Sequence, residues 1–422
     1  MTRFRHARLA ACLLALVAAT AHLVASATAR GPSPDPPRIV AVGDIHGDYD
    51  SFRRILHDAG LVDDGGAWKG GDAVLVQTGD YFDRGAKVRE VLDFMMTLEA
   101  QARAAGGRVE VLLGNHEGMN LLGDLRDVNP EAYGRFADDE SEARRAAAYD
   151  AYASLARARA SDMARAGDRQ LEVPPVYQPE AKDAWMAAHP PGAIEYVEAI
   201  GPKERYGKWL RSRPAAVRVG DTVFVHGGFT PETAPKSLDA LNEQVKTEIQ
   251  QWDRARDLLV SRKAALPFFD LNEMLQAARA TALVARANAG VGDAVTMAPG
   301  LQPLEALGRI GTWFLINPNS PLWTRTFATW TSQEGREKVD GLAARYKAAR
   351  FVVGHTPLRD GRIADRFSNR VFLIDTGMLS TYYSGGRASA LEIVGSRVTA
   401  IYGDGRTVLA DASPGATAAP SH

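Results

Sequence analysis

Cysteine is almost missing from this chain: 422 residues contain one, Cys12. It lies inside an N-terminal apolar stretch, so a chain that loses this stretch holds no thiol at all. That excludes disulfides, thiolate metal sites and cysteine nucleophiles, and leaves oxygen and imidazole as the donors for any metal. An excess of either charge is missing too. Fifty Lys and Arg stand against 51 Asp and Glu, a formal net charge of −1. With no basic footprint, a nucleic-acid partner is not expected. The apolar run at residues 9–19 is too short and too early for an ordinary membrane span. No internal repeat is found.

What the chain does contain is an ordinary globular composition, 45% hydrophobic and 24% charged. That allows one large domain with insertions, or two domains. Arg3, Arg5 and Arg8 precede the apolar run, and small residues follow at Ala25-Ser26-Ala27 and Ala27-Thr28-Ala29. This is the pattern of a signal peptide over residues 1–29, and it predicts a periplasmic or secreted protein with no stable membrane partner after cleavage. A retained N-terminal anchor is the alternative. A proline-rich linker fills 30–37, a domain is expected over 38–410, and 411–422 has the composition of a disordered tail.

Within the domain, apolar runs alternate with amphipathic segments. Ile39–Val42, Ala73–Val76 and Val109–Leu113 read as buried strands separated by helices, the pattern of an α/β fold. Residues 127–210 and 234–310 are mostly helical in pattern and read as insertions. Strands resume at Val223–Val225, Phe351–Val353 and Val371–Ile374, and 390–393 with 398–401 form a hairpin pattern.

The chemistry gathers where strands end. Gly43-Asp44-Ile45-His46-Gly47, Gly79-Asp80-Tyr81-Phe82-Asp83-Arg84-Gly85 and Gly114-Asn115-His116-Glu117 follow the first three strands; His226-Gly227-Gly228 and Gly354-His355-Thr356 follow two later ones. Ligands collect at strand carboxyl ends in α/β sheets. Each cluster alone is a weak signal, but four of the six histidines outside the signal segment and tail fall in them. His57 and His189 do not, and are assigned structural roles.

Together the clusters resemble the calcineurin-like metallophosphoesterases, in particular the phosphoprotein-phosphatase branch and its bacterial Shewanella-like members. The resemblance implies two facing mixed sheets flanked by helices. It implies that Asp44 and His46 bind one metal, that Asp80 bridges two, and that Asn115, His226 and His355 complete the second. Mixed imidazole and oxygen donors suit Mn, Fe or Zn. It also implies that His116 is the general acid, oriented by Asp83, and that Arg84 clamps phosphate. Arg325 is a further phosphate-binding candidate, with a solvated arginine beside a core Trp323 as the alternative. Asp375 either orients a metal-bound histidine or caps a turn.

The implied reaction is direct hydrolysis of a phosphomonoester by water activated between two cations. The implied substrate is a phosphorylated protein, on tyrosine or on serine and threonine; an exported enzyme also makes small phosphomonoesters realistic. A phosphodiesterase or dinucleoside polyphosphate hydrolase is the alternative on the same scaffold. A catalytically silent phosphopeptide-binding protein is disfavoured, because every ligand and the acid are present.

Overall fold

Strand β1 (Ile39–Val42) is buried along its whole length, and the computed structural model shows why each of its four residues is apolar. Ile39 and Ala41 face a core between two sheets, with Val74, Val76, Phe224, Val352 and Phe372. Val40 and Val42 face the opposite way, into a larger core shared with helices. Alternation along a strand thus feeds two hydrophobic layers. The structure describes residues 37–166, 179–289 and 300–411. The signal peptide, nearly all of the linker and the tail lie outside the described residues.

After β1 come α1 (Tyr49–Asp58), β2 (Val74–Gln77), α2 (Val88–Ala104), β3 (Arg108–Val111) and the short α3 (Asn115–Leu121). The first helical stretch contains α4 (Pro130–Gly134), α5 (Ser141–Ala166), α6 (Pro179–Ala188), α7 (Ala193–Ala199) and α8 (Arg205–Arg211). Strands β4 (Ala216–Val219) and β5 (Thr222–Val225) follow, then α9 (Leu238–Ser261), α10 (Leu271–Ala289) and two 3₁₀ turns, Gln302–Leu304 and Ala306–Thr312. The chain closes with α11 (Thr326–Thr329), α12 (Ser332–Tyr346), β6 (Arg350–Val353), β7 (Ala364–Arg366), β8 (Val371–Leu373), β9 (Ser389–Val394), β10 (Arg397–Tyr402) and β11 (Gly405–Ala410).

Both sheets are mixed. One has six strands in the order β11-β10-β9-β1-β2-β3, the other five in the order β4-β5-β6-β8-β7. The parallel trio β1-β2-β3 forms one end of the six-stranded sheet and the parallel trio β5-β6-β8 the middle of the five-stranded one, so within each trio the loops that leave the strands emerge on a common side. The facing mixed sheets implied by the resemblance are what the fold contains. Three strands and three helices fall outside the sequence reading: β4, the three-residue β7, the exposed edge strand β11, and the helices α3, α11 and α12. Strand ends also shift slightly, with Ala73 just before β2, Leu112 and Leu113 just after β3, and Ile374 just after β8.

The two histidines assigned structural roles fit them. His57 is half-exposed beside Asp58 and Asp64. His189 stacks on Trp185 at 3.9 Å within the first helical stretch.

Candidate metal centre

The loops at the strand ends are held in unusual backbone shapes. Among the described residues ten non-glycine positions have positive φ, and five belong to the predicted site: His46, Asp80, Asp83, Arg84 and His355. Such conformations cost about 1–3 kcal/mol each and persist where surrounding contacts enforce them. Here the enforcement is visible. Ile45 N and His46 N donate to the Asp80 carbonyl at 2.9 and 3.0 Å, and His355 N donates to both Asp44 carboxylate oxygens at 3.0 and 3.1 Å. Gly79, at φ 102°, lets two loops touch; a Cβ there would sit 2.5 Å from Gly114 N and 3.0 Å from His226 Nδ1.

Asp80 is the centre of the cluster. Its Oδ2 lies 3.1 Å from His226 Nε2, 3.8 Å from His46 Nε2 and 3.9 Å from His116 Nε2. Two of these rings have their tautomer set by a backbone carbonyl: Nδ1 of His46 faces Phe82 O at 2.8 Å and Nδ1 of His226 faces Thr78 O at 3.0 Å. Each therefore donates through Nδ1 and turns the Nε2 lone pair inward. His355 is reversed. Its Nε2 donates to Trp323 O at 2.7 Å, and its buried Nδ1 has no hydrogen-bond partner. Asn115 Oδ1 lies 2.9 Å from His226 Nε2, and Asp44 Oδ2 lies 3.9 Å from His46 Nε2. The structure thus brings all six predicted ligands to one place. Four of them fall in two tight groups that share Asp80, one of His46 and Asp80 with the non-ligand His116, the other of Asp80, His226 and His355, with ligating atoms within 4.8 Å of one another in each.

The electrostatics fit a cation. Burial, then the charges of Asp375 and Asp80, push the Asp44 carboxyl well above its ordinary range. Burial likewise favours the neutral rings of His46 and His355, which titrate well below an ordinary histidine. Neutral imidazoles with inward lone pairs, crowded carboxylates and an orphaned buried ring nitrogen together form a donor set for two metal ions.

His116 differs from its neighbours although it shares their space. Its Nδ1 lies 2.7 Å from Asp83 Oδ2, and Asp83 Oδ1 accepts from Asn120 Nδ2 at 2.9 Å. Burial disfavours the imidazolium, but the Asp80 charge and the Asp83 hydrogen bond overcome it, so His116 titrates above the ordinary value. His46 goes down and His116 goes up, within rings 4.8 Å apart. A ring that keeps its proton is a poor ligand and a good acid. Asp83 is fully buried against His116, which removes a surface ion pair with Arg84 as its explanation.

Arg84 reaches over this group, with Nη1 2.5 Å from His46 Nε2, and it also donates to the Tyr383 hydroxyl. Arg325 is exposed, and its Nη1 donates to the carbonyl of His355 at 2.6 Å and lies 3.3 Å from Thr356 Oγ1, which sets it beside one of the predicted ligands. Trp323 packs against the core while its carbonyl orients His355. Of the two readings of Asp375, the turn cap is the one the geometry fits. Its Oδ1 accepts from Gly377 N at 3.0 Å, and its carboxyl faces Asp44 instead of an imidazole.

Sequence reasoning gave Glu117 no role, yet it organises two loops. Fully buried, it accepts from Asp80 N (2.7 Å), Tyr81 N (2.8 Å), Phe82 N (3.1 Å) and Gly114 N (2.7 Å). Burial first, then the Asp80 charge, raises its carboxyl to about 7. The signal was its place immediately after Asn115 and His116. Asn120, one turn beyond His116 on α3, was also missed, as were Tyr196 on an insertion helix and the Tyr382–Tyr383 pair on the β8–β9 loop.

Sequence and structure comparisons bear on this geometry. The calcineurin-like phosphoesterase family profile matches residues 37–270. Shewanella-like protein phosphatase 2 of Arabidopsis thaliana is 31% identical over 215 residues, 50% of this chain and 51% of that protein, so the match spans about half of that relative's length. Shewanella-like protein phosphatase 1 of Plasmodium berghei is 24% identical over 368 residues, 86% of this chain and 74% of that protein. The crystal structure of a cold-active protein-tyrosine phosphatase from a psychrophilic Shewanella species shares the fold, with TM-score 0.50 and 24% identity over 89% of this chain and 82% of that one.

Proposed function

We propose that this chain, which belongs to the calcineurin-like phosphoesterase family, is a metal-dependent phosphomonoester hydrolase acting on phosphorylated protein. The observation that carries this reading is the meeting of three imidazole Nε2 atoms on one carboxylate oxygen of Asp80, with the His116–Asp83 pair beside it. Relatives described as protein phosphatases and as a protein-tyrosine phosphatase support the substrate class.

Asp44, His46 and Asp80 would hold one ion, and Asp80, Asn115, His226 and His355 the other. Mn, Fe or Zn all suit these donors. Such a pair supplies Lewis acidity and a water acidified enough to act as a nucleophile near neutral pH. The remaining work falls to the chain. Arg84 binds phosphate oxygens through its paired N–H groups, and Arg325 assists from the His355 side. His116 holds a proton at Nε2, because its Nδ1 is engaged by Asp83, and delivers it to the leaving oxygen. Asn120 keeps Asp83 in place from behind. The arginine-rich start and apolar run at 9–19 support an exported location, tested by finding the mature chain outside the cytoplasmic fraction.

The test is hydrolysis by the metal-stripped chain reloaded with manganese, comparing an aryl phosphomonoester with an aryl phosphodiester. Manganese-dependent turnover of the monoester alone supports the reading. Preference for the diester overturns it in favour of a phosphodiesterase, and bound metal with no turnover of either ester overturns it in favour of phosphopeptide binding.

A further inference from the structure

The segment joining β8 to β9 does more than connect the two sheets, for it places Tyr382 and Tyr383 next to Arg84. The Arg84 guanidinium carbon lies 5.0 Å from the Tyr382 ring centroid and 5.6 Å from that of Tyr383. The two rings meet edge to face at 4.9 Å, and the Tyr383 ring is 6.2 Å from that of His46. Tyr382 is 58% exposed, the largest exposure of any bulky hydrophobic side chain among the described residues, and it belongs to none of the hydrophobic cores. Packing does not explain an aromatic face left in water beside a phosphate-binding group.

Nor is the ring on a loose tether. Tyr382 N and Tyr383 N both donate to Leu379 O, at 3.0 and 2.9 Å, and Gly386 N donates to Tyr383 O at 2.9 Å. Arg387 N returns to Thr376 O at 3.0 Å, closing the loop at its base. There Gly377, at φ 66°, and Gly386 approach so closely that a Cβ on Gly386 would sit 2.0 Å from Gly377 O. Arg84 is fixed in turn through the Tyr383 hydroxyl.

We propose that Tyr382 is a leaving-group platform that stacks on the ring of an aryl phosphomonoester, such as a phosphotyrosine side chain, while Arg84 holds its phosphate. Tyr383 is a positioning residue that sets the guanidinium through its hydroxyl. This rests on the phosphomonoesterase reading and names the substrate class of that site. In an aryl ester the ring is one bond from the bridging oxygen, so a phosphate on Arg84 brings it within reach of Tyr382. Aromatic pairs are favourable at centroid separations of 4.5–7 Å. A phosphoserine places only a methylene there and leaves the platform bare.

Two measurements on the full chain test the idea. The first is kcat/KM for matched phosphotyrosine and phosphoserine peptides in the wild type, Tyr382→Ala, Tyr382→Phe and Tyr383→Phe. Tyr382→Ala is expected to lose ~3–10-fold on phosphotyrosine alone, mostly in KM. Tyr382→Phe retains the preference, and Tyr383→Phe weakens both substrates alike. Equal losses on both peptides in Tyr382→Ala, or none on either, overturn the proposal. The second reads binding without turnover, as the affinity ratio of phenylphosphonate to methylphosphonate. A wild-type ratio well above one that collapses in Tyr382→Ala supports the platform even if hydrolysis fails, which would then count against the catalytic reading alone. A ratio near one in the wild type, or one that survives Tyr382→Ala, overturns the platform even if monoester hydrolysis holds.

Discussion

The strand-end rim and the helical insertions are held together by different means. At the rim, buried polar groups hold the loops through hydrogen bonds, although Arg84 Nε, His355 Nδ1 and Asp375 Oδ2 have no partner. Glu117 takes four backbone N–H groups, Asp44 takes the His355 amide, and carbonyls fix the rings of His46 and His226. In the first insertion Tyr149, Ala153, Trp185 and Ile194 form a small apolar cluster, and ion pairs such as Arg144 with Glu195 lie toward the surface. An unpaired buried polar group costs ~1–3 kcal/mol, whereas an apolar cluster accepts swaps of similar volume at under ~1.5 kcal/mol. The rim therefore tolerates few side chains at each position, while the insertions tolerate more exchange. Several hydrogen bonds join the two: Tyr196 on α7 donates to Asn120 at 2.6 Å, Asn120 donates to Asp83, and Asn129 Nδ2 donates to Arg84 O at 2.8 Å.

The most severe way to break the rim is Asp80→Asn. Losing the charge on which three imidazoles converge should abolish turnover and weaken metal retention beyond the ~10–100-fold expected for a supporting residue. Full metal content by elemental analysis, with activity intact, would remove Asp80 from the centre. Glu117→Gln comes next. The amide nitrogen cannot accept from the loop N–H groups, so manganese affinity should fall ~10–100-fold while the chain stays folded; unchanged affinity in a titration would reduce Glu117 to a loop brace.

A smaller effect concerns protons. In the metal-free protein His116 should titrate above an ordinary histidine, remaining charged below that point and losing its proton as pH rises through it. Asp83→Asn removes a hydrogen bond and a charge that favour the imidazolium, so the titration should move to lower pH. The linked stability runs the same way: it is fully present below the ordinary histidine value and is lost as pH rises through the raised one. Imidazole NMR shifts followed against pH settle both, and an unmoved midpoint in the variant would detach Asp83 from this role. The least effect on catalysis is expected at the far side of the insertion. Trp185→Ala should cost ~3–5 kcal/mol of local packing yet leave kcat on a small aryl ester within about twofold; a large fall in kcat would show that the insertion also shapes the rim.

This division also explains what was legible in the sequence. Asp44, His46, Asp80, Asn115, His116, His226 and His355 announce themselves because each follows an apolar strand and stands within two residues of a glycine, so local spacing carries the signal. Asp83 and Arg84 are read from the same short loop. Glu117 was hidden in plain view, since nothing local reveals that its carboxylate will face the amides of residues 80–82. Tyr196 and Tyr382 depend on where an insertion helix and an inter-sheet loop come to rest. For Asp375 the turn cap was among the readings offered, but only the tertiary fold sets its carboxyl against Asp44. The strands missed were the short or exposed ones: β7 is three residues long, and β11 alternates no clear apolar face.

The hydrogen bond from His355 N to Asp44 spans 311 positions of sequence, and β1, which carries Asp44 at its end, is paired on one side by β9 near the end of the described chain. The centre is therefore assembled from the earliest and the latest parts of the domain. A growing polypeptide, or one still threading through a translocation pore, has the first donors long before it has the last. Synthesis itself acts as a safety catch: the donors can meet only once the chain has been made past His355 and has folded back against β1.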